Sequence, residues 1–284
     1  MSIIKKEEII RIALDNNITH TGFVRGAFSE PAEKLSNKKT VMMPEDIAGS
    51  DYEWVNTFIV CLLPYFSGGE RSRISRYAWG EDYHAVMHEC LSPLRSYLEE
   101  NGCRAQILCD NHKLNDRYLA YKAGLGFLGK NGFLINDDYG TYTFIGSVAT
   151  SAEISSDCRP SGKSCLNCGG CKKSCPGGAI SDEGVCVERC VSYLTQKKGE
   201  LTAEEVGVIK KSGYIWGCDI CQEVCPHNKY AKKTNIHSFT DNLTRTVSID
   251  KDISNREFKR KYSKRAFAWR GKRTLLRNMD IFGK

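Results

Sequence analysis

The sequence predicts an α+β protein in which a cysteine-rich insert separates a mixed layer domain from a helical tail. Three observations carry this. Residues 1–155 alternate between helical and strand periodicity, as mixed layers do. Over 156–232 the periodicity nearly disappears, and Cys, Gly, Lys and Pro crowd together. In the last segment, 233–284, helical spacing returns over 254–280. A middle segment without periodicity cannot build an ordinary core, so something inorganic must hold it together.

Residues 3–16 place Ile4, Ile9, Ile10, Ile12 and Ala13 at helical spacing. A short strand over Thr19 to Val24 follows, and Val55 to Leu63 reads as a buried strand ended by Pro64. Glu81 to Glu100 predicts a helix stopped near Asn101-Gly102, with Pro93 expected to kink or split it. Arg104 to Cys109 predicts a strand, and Leu114 to Ala123 a helix closing at Gly124. Phe133 to Asn136 and Tyr142 to Ala149, parted by Asp137-Asp138-Tyr139-Gly140, predict a hairpin.

With 284 residues, 41% of them hydrophobic, the chain is long enough for one large or two modest cores. Its longest apolar run, Phe58 to Leu63, falls far short of the roughly 20 residues that span a bilayer. Acidic residues stand in the N-terminal stretch where a secretory signal would be apolar, so a soluble, cytoplasmic protein is expected. The net charge of +7 is uneven. Lys251 to Lys284 holds 12 Lys/Arg against 3 Asp/Glu, while the rest of the chain has 29 against 31. Positive charge concentrated in one segment, with aromatic residues spaced through it, points to a polyanion such as nucleic acid.

Fourteen cysteines dominate the sequence, ten of them between Cys158 and Cys225. Without an export signal, metal binding is a better reading than disulfides. Cys165, Cys168, Cys171 and Cys175, followed by Pro176, form the bacterial ferredoxin run C-x2-C-x2-C-x3-C-P. Cys218, Cys221 and Cys225 before Pro226 form a second run whose first position is Ile215. In a two-cluster protein the fourth Cys of each run ligates the other cluster. One [4Fe–4S] cluster is then expected on Cys165, Cys168, Cys171 and Cys225. The other has Cys175, Cys218 and Cys221 and needs one more thiolate, for which Cys158, Cys186 and Cys190 are candidates. A structural zinc ion held by four cysteines is the competing reading, disfavoured by two runs of ferredoxin spacing. Cys61, Cys90, Cys103 and Cys109 read as buried structural thiols.

Around these runs the sequence resembles the epoxyqueuosine reductase family. The matching stretches are Ile74-Ser75-Arg76-Tyr77-Ala78-Trp79-Gly80-Glu81-Asp82-Tyr83-His84, Asp110 with Arg117 seven residues on, and Ala123-Gly124-Leu125-Gly126-Phe127-Leu128-Gly129-Lys130-Asn131. After the first Cys run come Arg189-Cys190-Val191-Ser192-Tyr193-Leu194-Thr195 and Gly217-Cys218-Asp219-Ile220-Cys221-Gln222-Glu223-Val224-Cys225-Pro226, and near the end Leu275-Leu276-Arg277-Asn278. The resemblance implies an enzyme that removes an epoxide oxygen from a modified tRNA base, leaving an alkene. It also implies two [4Fe–4S] clusters that reduce cobalamin, and it selects Cys190 as the eighth cluster ligand.

Several further roles follow from the resemblance. Asp110, at the end of a predicted strand, matches the aspartate that supplies a proton as oxygen leaves. Such an acid needs a raised pKa, which burial against an apolar macrocycle would provide. The residues alone would instead suit a helix N-cap. Ser75, Tyr83, His84, Lys130 and Asn131 are expected around the corrin, and residues 1–155 become the cobalamin and substrate domain. The basic tail, with Lys259, Arg260, Lys261, Lys264, Arg265, Lys272 and Arg273, is expected to hold the tRNA anticodon stem-loop. Tyr262, Phe267 and Trp269 are expected to dock against the body. The implied partners are tRNA and an electron donor such as ferredoxin or flavodoxin, acting on a monomer. Relative to the family, the stretch between about Gly26 and Val55 is short, and longer members continue past Arg277-Asn278 into a helical repeat domain. Two other functions fit parts of the pattern: a cobalamin-dependent reductase of small molecules, as in reductive dehalogenases, and a plain electron carrier. A carrier has no use for residues 1–155, and a dehalogenase has none for the basic tail.

Overall fold

The computed structural model describes residues 4–26, 51–110, 112–156 and 159–283. The first helix, α1 (Lys6–Asp15), has Glu7 and Glu8 at the positive end of its peptide dipoles and buries Ile9 and Ala13. Strand β1 (His20–Arg25) pairs antiparallel with β2 (Thr57–Pro64), whose eight residues are all buried. The pleat explains this. Ile59, Cys61 and Leu63 enter one core with α1 and α2 (Tyr83–Glu100), while Phe58, Val60 and Leu62 enter a second with α3 (Asp116–Lys122). A strand covered on both faces reads as one continuous apolar run. Beyond α2 lie β3 (Ala105–Leu108), the short strands β4 (Phe127–Leu128) and β5 (Leu134–Ile135), and β6 (Thr143–Thr150). The four-stranded sheet has the order β1-β2-β6-β3 and is antiparallel throughout.

Two local expectations are corrected. Helix α2 runs unbroken through Pro93; the carbonyl that loses its partner belongs to Glu89, on an exposed face where water can serve it. The expected hairpin closes only at its turn, where Asn136 and Gly140 exchange two backbone hydrogen bonds. Strand β5 turns back on β4, and β6 leaves to join β2 and β3. Asn136 holds this turn and fixes its place: its Oδ1 accepts from the backbone of Asp138 and Tyr139, and its Nδ2 donates to Leu125 O.

The cysteine-rich segment holds only short elements: α4 (Gly170–Ser174), β7 (Ile180–Ser181), β8 (Gly184–Val185), α5 (Val191–Gln196), α6 (Ala203–Ser212) and α7 (Ile220–Glu223). The tail supplies α8 (His237–Thr240), α9 (Asn255–Tyr262) and α10 (Lys272–Asp280). Its apolar positions build a third core, in which Phe258, Tyr262, Phe267 and Leu275 pack with Ile74, Trp79 and Trp216. Buried Asn278 ties this core to the insert by donating to Thr195 O and Ile215 O, and Arg277 donates to Lys197 O and Gly199 O. Among the described residues no helix is long and apolar enough to cross a membrane.

Candidate active site

The thiols separate into two groups of four. Cys225 has Cys165, Cys168 and Cys171 as its charged neighbours, and all four line one small pocket with Pro226 and His227. Cys221 has Cys218, Cys190 and Cys175 as neighbours, and those four line a larger cavity of about 510 Å³. Each group mixes cysteines from both runs, as crossed fourth ligands require. Burial first, and then Cys218, Cys190, Asp219 and Cys175, push the Cys221 thiol far up. Four cysteines gathered in this way from both runs fit the ligation of an iron–sulfur cube. No group of three or more His, Cys, Asp or Glu among the described residues is arranged to hold a single metal ion. Cys186 lies exposed, donating to Glu188 at 3.6 Å, and lines neither pocket. Cys158 is outside the described residues.

The large cavity lies between the sheet and the insert. Strand β6 contributes Thr143, Phe144 and Ile145, α5 contributes Val191 and Ser192, and the loop around β5 contributes Asn131, Phe133 and Leu134. Asn131 Nδ2 and Thr143 Oγ1 are buried there without a hydrogen-bond partner. Unpaired buried donors are costly, and a large ligand with amide side chains would satisfy them. A mostly apolar wall with a few such groups fits the flat corrin of cobalamin.

Asp110 is on this wall, two residues past β3, with φ at +55°. The tyrosine Tyr83, at the start of α2, donates its hydroxyl to Asp110 Oδ2. Burial and then the Asp110 charge push the Tyr83 phenol up, so it stays protonated and acts as the donor. His84 stacks on Tyr83 with ring centroids 4.1 Å apart and brings Nε2 to 3.6 Å from Asp110 Oδ2. Its Nδ1 is 2.8 Å from Asp82 Oδ1, and that hydrogen bond raises the His84 pKa above the ordinary histidine value. The N-cap of α3 is Asn115, which accepts from Tyr118 N, so Asp110 does not have that capping role. Its side chain is half exposed.

Other expected residues are placed differently. Ser75 lines the cavity but donates to Asp219 Oδ1 at 2.6 Å. The fully buried Asp219 also accepts from Arg76 N at 2.7 Å, and burial raises its pKa to about 6. In the sequence Asp219 is marked only by its place in the matching stretch, between Cys218 and Cys221. Lys130 is not on the cavity wall: it lines the small pocket, drawn there by Asp182 at 2.8 Å. In the tail, Arg265 donates to Trp79 O and Asn242 O, and Lys272 donates to Ile253 O. These two cations fasten the third core. Lys259, Arg260, Lys261, Lys264 and Arg273 remain exposed, Lys264 with Glu81 3.6 Å away. Tyr262 and Phe267 dock as expected, but Trp269 is 61% exposed with the Arg270 guanidinium 3.7 Å over its ring.

Two family models match the chain: a 4Fe-4S double cluster binding domain over residues 164–228, and epoxyqueuosine reductase QueG, DUF1730, over 50–111. An epoxyqueuosine reductase of Lactococcus garvieae is 33% identical over 96% of this chain and 85% of its own length. One of Staphylococcus aureus is 36% identical over 74% of this chain but only 56% of itself, so the match spans little over half of that relative. A crystal structure of epoxyqueuosine reductase with an epoxyqueuosine-modified tRNA-Tyr stem loop superposes with a TM-score of 0.82. It is 27% identical, covering 97% of this chain and 80% of that one.

Proposed function

The chain belongs to the epoxyqueuosine reductase family, and from that premise we propose that it reduces epoxyqueuosine in tRNA to queuosine. The reaction takes two electrons and two protons to convert the epoxide into an alkene and water. The cofactors are two [4Fe–4S] clusters and cobalamin. Bound cobalamin, reduced through the clusters, would supply the electron pair for opening the epoxide C–O bond. The observation that carries the proposal is that one cavity is lined both by four thiols and by Asp110 with Tyr83. An electron source and a proton source thus address the same space.

In this reading Cys175, Cys190, Cys218 and Cys221 hold the cavity-side cluster, and Cys165, Cys168, Cys171 and Cys225 the other. Asn131 and Thr143 offer their free buried groups to the corrin's amides. Tyr83 orients Asp110, which gives its proton to the departing oxygen. His84, fixed by Asp82 and open to solvent, restores that proton. Residues 1–155 serve as the cobalamin and substrate domain, 156–232 as the cluster domain, and 233–284 as the tail packed on both, in a cytoplasmic enzyme.

The tRNA contact is proposed for Lys259, Arg260, Lys261, Lys264 and Arg273, with Trp269 as a surface on which a base can stack. Each phosphate neutralised releases counterions. Changing Lys259, Arg260, Lys261 and Arg273 to Gln is expected to flatten the log–log dependence of stem-loop affinity on salt by about 3. Trp269→Ala is expected to cost about 1–3 kcal/mol of affinity and to leave the slope unchanged, because stacking moves no counterions. Fluorescence anisotropy at several salt concentrations measures both. A slope that the fourfold variant does not change removes the tail from the interface.

A further inference from the structure

The proposed clusters differ in what surrounds them. One faces the cavity, while the thiols of the other lie beneath a different surface of the insert. That surface is apolar and open. Leu166 is 62% exposed and Val224 40% exposed. Beside them Gly169, with φ at +71°, and Gly170 carry no side chain. A Cβ on Gly169 would meet nothing within 4 Å, and one on Gly170 would sit 3.7 Å from Cys168 Sγ and 3.9 Å from Val224 Cγ2. Bare backbone therefore borders the exposed Cys168 on this side, and another protein can come closer here than side chains would permit.

The rim is basic. From Arg159 to Ser181 the chain contains Arg159, Lys163, Lys172 and Lys173 and no Asp or Glu; of these Lys163 pairs with Asp137 at 2.8 Å. Lys130 and Lys172 share the single carboxylate of Asp182, each at 2.8 Å, which leaves a surplus of positive charge. Beyond Pro226 and His227 on the far side, Lys229 lies 5.1 Å from the ring centroid of Tyr230, which is 81% exposed. A small apolar centre inside a ring of like charge suits a transient redox encounter, whose interfaces are at the small end of protein contacts.

We propose that this face, centred on Leu166, Gly169, Gly170 and Val224, docks an acidic one-electron carrier protein of the ferredoxin or flavodoxin type. Opposite charge complements the lysine rim and speeds the encounter. In each encounter the carrier is oxidised by one electron and the cluster on Cys165, Cys168, Cys171 and Cys225 is reduced by one. Two encounters supply the pair that the epoxide consumes with two protons. The proposal rests on the reading of two clusters given above and adds the point of electron entry.

Anaerobic stopped-flow reduction of the cluster-loaded chain by reduced flavodoxin tests it, with dithionite as the small reductant for comparison. Leu166→Glu and Lys173→Glu are each expected to slow reduction by flavodoxin about tenfold and to leave reduction by dithionite unchanged. Rising salt should slow the unaltered chain with flavodoxin and have less effect on Lys173→Glu. Should Leu166→Glu lose iron, Lys173→Glu decides alone. Unchanged flavodoxin rates in the iron-replete variants overturn the proposal. So does a fall in stem-loop affinity with the flavodoxin rate unchanged, which would make the face an RNA contact. Cluster reduction requires no tRNA, so failure here leaves the reductase reading standing, and failure of turnover leaves this docking site standing.

Discussion

Asp110→Ala is expected to keep both clusters and cobalamin and to lose about 10²–10⁴-fold in single-turnover rate, the usual worth of a general acid. The geometry makes the experiment discriminating. Asp110 does not cap α3, a task that falls to Asn115, and its side chain is half exposed, so little stability depends on it. Its φ of +55° lies in the left-handed region, which Asp and Asn tolerate better than other side chains. Asp110→Asn should therefore keep the backbone and the melting temperature while losing the rate as fully as Asp110→Ala. The amide can still accept from Tyr83 but has no acidic proton to give. Parallel melting curves and rapid-quench measurements separate the outcomes. A near-normal rate in Asp110→Asn would move the proton donor elsewhere, with Tyr83 the next group on the wall.

The second large effect belongs to Cys190. The loaded chain is expected to bind about eight iron and eight sulfide. Cys190→Ala should fall to about four of each, lose the cavity-side cluster and lose turnover with it, because electrons then stop short of the cavity. Cys186→Ala should retain both clusters, since its exposed thiol lines neither pocket. Iron and sulfide analysis with low-temperature EPR of the reduced protein reads both variants. A cluster lost in Cys186→Ala and kept in Cys190→Ala would reverse the assignment.

These two sites were legible in the sequence to different degrees. The crossed cysteine groups follow from spacing, because a cube imposes its own dimensions on short loops whatever surrounds them. The eighth thiol does not follow from spacing. Cys158, Cys186 and Cys190 stand in equivalent surroundings along the chain, and only the turn of Val187–Arg189 into α5 carries Cys190 inward while Cys186 stays outside. Strand β2 was readable as buried because it is covered on both faces, and α1 because its apolar stripe is regular. The hairpin over 133–149 shows the opposite case. Asp137-Asp138-Tyr139-Gly140 has turn chemistry and the turn closes, but β5 pairs with β4 and β6 with β2 and β3 instead of with each other. In the tail, charge identified a cationic surface but not its free members. A lysine or arginine bound to main-chain carbonyls, as Lys272 and Arg265 are, has the same letter as one facing solvent. Trp269 misled for a related reason: aromatic residues at helical spacing are expected inside, and a three-residue 3₁₀ turn leaves this one outside.

The most direct measurement is a single turnover. The chain, purified anaerobically, loaded with both clusters and cobalamin and reduced with dithionite, is mixed with a stem-loop containing epoxyqueuosine, and the nucleosides are resolved by mass spectrometry. The expected result is loss of one oxygen from the modified base, appearing as queuosine. An epoxide that survives unchanged while both clusters and cobalamin are present and reduced would contradict the proposed function.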